Sequence, residues 1–286
     1  MLTSGDGDIE FEPPQTKVYP LGVNILILAA GDAADQSAIC AATHRRVTTG
    51  GVLRVDEAAQ IYADEFADYR KKINERAVLK PLGLDLESFI DKQSTMLPGE
   101  ASDIRRDLTY DEVDIEAIVT GVDEDGGHIY VIQDPGQARR YDSIGFAAIG
   151  IGKAHANSQF MFAGFQRSQE LPDSMMLLYK AKKRAEVAPG VGTVTDIYSI
   201  NRAATVAADS RWMDKLEEIY QDTRILEDTL WGGANNQLTT FVMEVLSDRA
   251  REQQEAEGEK EGGTQEGEGV DEEGVSGEPT EGEPTG

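Results

Sequence analysis

Two glycines, Gly150 and Gly152, stand directly before Lys153 and have the spacing of a phosphate-binding turn. They follow an apolar run and precede helix-like sequence, the setting in which a glycine-rich turn holds a nucleotide phosphate. However, the third glycine of a dinucleotide fingerprint is absent, and the preceding strands have an antiparallel pattern. Lys153 does not complete a Walker motif, because the glycine required six residues earlier is Ala147. We therefore predict no cofactor here.

The other residues that could do chemistry are scattered. The chain has one cysteine, Cys40, and three histidines, His44, His128 and His155. Their spacing predicts no zinc or other metal site, and no Ser-His-Asp arrangement can be assembled from them. Cys40 lies in an alanine-rich helical context and has no partner for an internal disulfide. We expect a buried thiol and a reducing, cytoplasmic compartment.

Charge narrows the range of partners. The 286-residue chain has a formal net charge of −26. Phosphate groups would repel such a protein, so we predict that it binds neither nucleic acid nor an anionic membrane. No run of about 18 apolar residues is present that could span a bilayer. We expect a cytoplasmic protein.

The acidic residues are concentrated at the end of the chain. From Arg251 onward there are thirteen acidic residues, two basic residues, many glycines and no aromatic residue. Such a segment buries too little apolar surface to offset its ordering entropy. We predict a domain over residues 1–250 and a disordered acidic tail over 251–286. The tail is either a solubilising extension or a docking segment for a partner such as an unfoldase or a basic protein.

The stretch from Lys17 to Asp35 organises the elements that position these residues. Apolar, β-favouring residues from Val23 to Leu28 run into small residues and Gly31, and helix-like sequence follows. This order predicts a buried strand, a tight turn and a helix that Asp32 or Asp35 caps. Plain packing of a strand against a helix would explain the same pattern.

The remaining elements are helices, then strands, then helices. This order favours an α+β fold in which helices cover antiparallel sheets. The pattern predicts helices over 34–48, 55–77 and 84–93, a helix that follows the turn at 150–156 and reaches about 165, and a helix that begins at 172 and ends before Pro189. It also predicts an irregular connector over 96–110, strands over 115–122, 128–132, 138–141, 145–149 and 193–200, and two amphipathic segments over 211–230 and 236–254.

Together these features resemble a proteasome β subunit and its bacterial relatives, which are N-terminal-nucleophile (Ntn) hydrolases. The resemblance rests on Lys17, the AAGDAAD turn beginning at Ala29, the hairpin VTGVDEDGGHIYVIQDPG, the turn FAAIGIGKAHA and the run YKAKKRAEVAPGVGTVTDIYSI. It covers roughly residues 1–205. It implies an αββα four-layer sandwich and a threonine-type peptidase that cleaves amide bonds without a cofactor.

The resemblance also implies roles for individual residues. Lys17 would lower the energetic cost of charge at the nucleophile, and the backbone N–H of Gly31 would donate to the developing oxyanion. Ala29 and Ala33 would line the pocket for a substrate side chain. For Lys17, a surface lysine on a strand remains the alternative.

Three features of the sequence depart from the family pattern. Only sixteen residues precede Lys17, so we expect that the first strands, including the one bearing the nucleophile, are missing, and Thr3 and Ser4 are poor substitutes. Ile151 occupies the place of a serine. Ala188 lies near the expected aspartate, for which Glu186 or Asp196 would have to compensate.

These departures leave three hypotheses. The first is a peptidase subunit whose nucleophile lies on the missing strand. The second is a non-catalytic subunit that assembles with itself or with related subunits in a ring, through outer helices such as 34–48 and 58–77. The third is a soluble αβ domain that only resembles the family. The first two imply ring partners and an ATP-dependent unfoldase as a further partner.

Overall fold

The computed structural model describes residues 17–51, 54–110 and 113–262, and their side chains except at 110 and 256–262. The predicted roles of Thr3 and Ser4, and residues 263–286 of the predicted tail, lie outside this range. The chain divides into two compact units between Tyr220 and Gln221. Helices and antiparallel sheets build the first unit, which confirms the α+β class.

A five-stranded antiparallel sheet is the centre of the first unit. Its five strands lie side by side in chain order, so neighbours in sequence are neighbours in space. The strands are β1 (Val18–Pro20), β2 (Ile25–Gly31), β3 (Ile115–Asp123), β4 (Gly126–Gln133) and β5 (Gln137–Arg140).

Two helices cover one face of this sheet. They are α1 (Ala33–Gly50) and α2 (Val55–Asn74), close to the predicted helices. Ile27 of β2 and Ala117 of β3 pack into the same buried cluster as Tyr62 and Phe66 of α2. Because side chains alternate across a strand, the residues between them, such as Ala30 and Glu116, belong to the opposite face.

The connection from α2 to β3 is more helical than predicted. A π-helical turn (Glu75–Leu79) and a 3₁₀ turn (Lys80–Leu82) follow α2, and α3 (Leu86–Lys92) matches the predicted short helix. The irregular connector predicted over 96–110 is wrong, because Pro98–Tyr110 forms helix α4. Ala101 is its buried residue.

The opposite face of the sheet meets the chain beyond β5. Here the structure has α5 (Lys153–Phe162), α6 (Leu171–Ala185) and a hairpin of β6 (Tyr198–Ile200) and β7 (Thr205–Ala207). Val18, Leu26 and Tyr198 line a cleft between the large sheet and this hairpin.

Two predicted strands in this region need correction. Residues 145–149 form no strand, and of the predicted 193–200 strand only β6 forms. Phe146 instead stacks on Phe160 of α5, with ring centroids 4.6 Å apart, and meets Phe165 edge-on. The apolar pattern of 145–149 therefore serves packing against a helix.

The last helix, α7 (Ser210–Gly262), replaces the two predicted amphipathic segments. It continues through Gly232 and Gly233 and beyond residue 251, where the acidic tail was predicted to begin. The second compact unit begins within this helix, at Gln221. Among the described residues, no helix is long and apolar enough to cross a membrane.

Candidate functional site

The predicted catalytic residues lie at one end of the large sheet. The backbone N–H of Ala29 donates to the carbonyl oxygen of Lys17 at 3.0 Å, so Lys17 continues β1 beside the end of β2. Two residues later, Gly31 ends β2. Lys17 is half-buried, Ala29 is buried and Gly31 is exposed. The structure thus brings together Lys17 and Gly31, fourteen residues apart in sequence.

Gly31 occupies a position that excludes a side chain. Its φ angle is +112°, and a Cβ atom would lie 1.9 Å from the carbonyl oxygen of Asp114. That carbonyl accepts a hydrogen bond from the backbone N–H of Asp32 at 3.2 Å. The close approach of two backbones explains why the small-residue turn contains glycine here.

Helix α1 begins immediately after this glycine. The side chain of Asp32 accepts from the backbone N–H groups of Ala34 at 2.8 Å and Asp35 at 3.0 Å, so Asp32 is the N-cap that the sequence allowed. Ala33 is the first helical residue and is half-buried. The two predicted pocket residues, Ala29 and Ala33, therefore lie on either side of Gly31.

The glycine pair of the second motif packs against the same end of the sheet. Gly150 has a φ angle of +80°, and a Cβ atom built on it would lie 3.1 Å from the Cβ of Ala30. Its backbone N–H donates to Oε2 of Glu116 at 2.7 Å. Because Ala30 and Glu116 are paired across β2 and β3, this carboxylate ties the second turn to the first.

Glu116 is the central residue that sequence reasoning missed. Its Oε1 atom accepts from Nε2 of Gln133 at 2.6 Å and from the ammonium of Lys153. One half-buried carboxylate thus joins β3, β4 and the start of α5. The available signal was the charge of this residue within the apolar run IEAIV, because a carboxylate on a partly buried strand needs polar partners.

Ile151 and Ala188, the two positions that depart from the family pattern, carry no polar side chain, and Asp196, one of the two predicted substitutes, is exposed. The Ile151 side chain is 71% exposed, and Ala188 is buried. Glu186, a predicted substitute carboxylate, binds Nζ of Lys182 within α6 at 2.7 Å. It is therefore occupied by a local ion pair.

Residues 146–149 lie directly before the Gly150 turn. They are half-buried, and no hydrogen bond joins their backbone to another residue in the part of the chain that the structure describes. Backbone groups that are half-removed from water usually have protein partners. Among the described residues, the segment therefore lies directly before the Gly150 turn without a backbone partner.

Chemically, this end of the sheet combines a turn that exposes glycine backbone, a half-buried lysine and an ion pair. Such an arrangement can stabilise negative charge on a ligand oxygen through the glycine backbone and lysine. A nucleophile would have to be supplied beside them.

A second polar cluster lies at the other end of the sheet. His128 of β4 lies between Asp142 and Asp123, and the backbone N–H of Val55, the first residue of α2, donates to Asp123 Oδ2 at 3.0 Å. Burial opposes charge on the imidazole. The hydrogen bond to Asp142 and the charges of both aspartates outweigh it, so the pKa of His128 is raised.

The comparisons with known proteins leave the resemblance untested. No protein-family model matches the chain, and no curated protein matches it with statistical significance. Within the described ranges, no group of three or more His, Cys, Asp and Glu side chains could hold a metal ion. The function of the site is therefore argued from its own geometry.

Proposed function

We propose that this chain is a proteasome-like Ntn-hydrolase subunit, acting in the cytoplasm, whose active site lies at the sheet end formed by Lys17, Gly31 and the Gly150 turn. In this proposal an N-terminal threonine, serine or cysteine on a preceding strand attacks an amide carbonyl. Its own α-amino group takes the proton, the Gly31 N–H holds the oxyanion, and Lys17 stabilises the charged form of the site.

The observation that carries the proposal is the pairing of Lys17 with Ala29 across β1 and β2. It brings a lysine and an exposed glycine turn to one sheet end, the arrangement that the resemblance implies. The contact between Gly150 and Ala30 adds independent support, because the two turns quoted for the resemblance are far apart in sequence and adjacent in space.

The layering supports the αββα sandwich as the finer description of the fold. Helices α1 and α2 cover one face of the large sheet, while the Gly150 turn and the β6–β7 hairpin lie on the other. Gly152 in turn packs against α6, where an added Cβ atom would lie 2.8 Å from the Cβ of Ala185. In the proposal, this second β-layer is completed by strands that precede Lys17.

Residues 146–149, whose backbone has no hydrogen-bond partner in the described part of the chain, would give such a strand a place to bind. A strand added there would end beside the Gly150 turn and near Gly31. This placement would bring an N-terminal nucleophile to the proposed site without any histidine.

The test begins with the protein purified from its native cell. Intact mass and N-terminal sequencing should reveal a chain that begins at Thr, Ser or Cys ahead of residue 1, and this chain should hydrolyse members of a fluorogenic peptide panel. Substitution of that first residue by alanine should abolish hydrolysis. A native chain that begins at Met1 or Leu2, or a panel left uncleaved, would overturn the peptidase proposal.

Lys17 provides the matched residue test on the active, extended chain. Lys17→Ala should lower kcat by about 100-fold or more, because charge stabilisation of the nucleophile is lost. Lys92→Ala, an exposed lysine of α3, should leave kcat unchanged. Equal activity of both variants would remove Lys17 from the proposed mechanism.

A non-catalytic ring subunit is the second candidate. Ile151 and Ala188 favour it, since neither can provide the hydroxyl or carboxylate that the family pattern places there. In that case the native chain should sediment as a multi-subunit ring, alone or with active subunits, and show no peptide hydrolysis. An ATP-dependent unfoldase would be its further partner in either candidate function.

A further inference from the structure

The second compact unit carries an apolar helix face that nothing in the proposed site uses. Within α7, residues 229–243 contain no charged side chain, although 28% of the whole chain is charged. Trp231 is 74% exposed, Leu238 58% and Phe241 59%. Exposed aromatic and aliphatic side chains in an uncharged stretch indicate an interaction surface.

These residues follow a coiled-coil spacing. The apolar residues recur at steps of three, four, three and four: Trp231, Ala234, Leu238, Phe241 and Val245. Steps of this kind place side chains in one seam along a helix. We call these five residues the α7 seam. Leu230 and Val242, also exposed, flank it.

We propose that the α7 seam binds the α7 seam of a second copy of this chain, antiparallel and centred on Asn236. This inference does not rest on the proposed function, and it uses a different surface from the outer helices that ring packing implies. Each copy offers the same face to the other, as a two-fold symmetric contact requires.

Complementary residues support the antiparallel direction. With Asn236 at the centre, Ala234 faces Leu238 of the second copy in the two inner layers, so a small residue meets a larger one there. Trp231 faces Phe241 outside them, and Val245 lies opposite Glu227, whose aliphatic stem can cover it. One heptad further out, Arg224 faces Asp248. A parallel pair in register would instead place Arg224 on Arg224 and Asp248 on Asp248, where like charges repel.

The absence of charge favours a second copy over a basic partner. A chain of net charge −26 repels itself, and a patch without charge lowers the electrostatic cost of bringing two copies together. A basic partner would gain nothing from the uncharged seam. Complete coverage of each aromatic side chain buries about 150–250 Å². Together with the aliphatic residues of the seam, the area that each copy would bury approaches the roughly 800 Å² per partner of a standard interface.

The first experiment measures the mass of the full chain by size-exclusion chromatography with light scattering over a concentration series. Leu238→Glu should halve the mass of the species formed by the unsubstituted chain, because it places two buried charges in the seam. Thr240→Glu adds the same charge to the other side of the helix and should leave the mass unchanged. Circular dichroism of all variants checks that helix content is preserved.

A charge swap tests the direction. Arg224→Glu should raise the dissociation constant of the pair about tenfold, since two attractive contacts become repulsive. Adding Asp248→Arg to the same chain should restore it. Residues 224 and 248 are about 36 Å apart along one helix, so they cannot meet within a copy, and rescue must come from contact between copies.

Three results would overturn the inference. An unsubstituted chain that stays monomeric at every concentration would show that the seam does not bind a second copy. Equal masses for Leu238→Glu and the unsubstituted chain, or an equal loss of mass in Thr240→Glu, would remove the seam from the contact. Failure of Asp248→Arg to restore Arg224→Glu would overturn the antiparallel register.

Discussion

Nδ1 of His128 lies 2.6 Å from Oδ2 of Asp142, on the buried side of β4. The other ring nitrogen, Nε2, lies 3.0 Å from Oδ1 of Asp123. Both nitrogens therefore face carboxylates, an arrangement that suits the doubly protonated imidazolium. Because Asp123 also accepts from the first N–H of α2, the histidine links the hairpin of β3 and β4 to a helix N-terminus.

His128→Gln should lower the free energy of unfolding by about 3 kcal/mol, since it removes the charged partner that Asp123 and Asp142 share, and only Asp142 keeps a cation beside it, Arg140. Chemical denaturation monitored by circular dichroism at pH 6 measures this loss. His44→Gln, at an exposed position of α1, is the matched control and should change stability little. Equal effects of the two substitutions would contradict the structural role of His128.

The same cluster predicts a pH dependence with two limits. Because folding raises the pKa of His128, its contribution to the free energy of unfolding is complete below about pH 6.5. That contribution is lost as the pH rises through the pKa of the folded state. Burial opposes ionisation of Asp123 and Asp142, but hydrogen bonds and His128 lower the pKa of both, so their contribution is lost on acidification below about pH 3.8. Unfolding free energies from pH 3 to 9 should decline at both ends, and His128→Gln should remove the decline on the alkaline side.

Gly31→Ala should be among the most damaging single substitutions in the first unit. A methyl group there would collide with a backbone carbonyl that cannot swing away, and the residue would also be forced into a positive φ angle. We expect a loss of about 3 kcal/mol or more in thermal or chemical unfolding. Gly83→Ala is the control, since Gly83 also has a positive φ angle but has open space around it, and it should cost about 1 kcal/mol.

Glu116→Gln should loosen the turn at Gly150. The substitution keeps the size of the side chain but removes the charge that holds the Lys153 ammonium and strengthens the bond from the Gly150 N–H. Hydrogen exchange of the peptide that spans residues 148–154 should accelerate about tenfold, equivalent to about 1.4 kcal/mol. Glu87→Gln, on exposed α3, should leave that exchange unchanged; unaltered exchange in Glu116→Gln would mean that the turn does not depend on this carboxylate.

Cys40 should be chemically silent in the folded protein. Burial raises the pKa of its thiol to about 12, so almost no thiolate exists at pH 8. A thiol-reactive dye should label the native chain slowly and the denatured chain at once, with one equivalent per chain. Rapid native labelling would show that α1 opens from the sheet.

The sequence predicted those elements whose local signals agree with their packing. For β2 and α1, an apolar run, a glycine and a capping aspartate all mark the same boundary, and the structure has its turn there. Helix α4 was missed because charged residues outnumber the apolar ones, although Leu97, Ala101, Ile104 and Leu108 recur at steps of four and three. The short apolar stripe was a weaker signal than the many charged residues around it, which favoured an irregular connector.

Tertiary contacts decided the rest. Nothing local distinguishes residues 145–149 from a strand, because strand formation requires a neighbour whose backbone accepts and donates. The partners of Glu116 come from three separate elements, so no window of the sequence contains them. The His128 cluster was overlooked for the same reason, since Asp142 lies fourteen residues away, beyond a turn and a further strand.

The apolar side chains exposed on α7 also bear on how the protein should be handled. Exposed apolar side chains favour association between molecules, and mutual repulsion between chains of net charge −26 opposes it. Salt weakens that repulsion, because the Debye length falls from about 30 Å at 0.01 M to about 3 Å at 1 M. Concentrated preparations should therefore stay clear at low ionic strength and become turbid as salt is added. A protein that shows salting-in would behave in the opposite way.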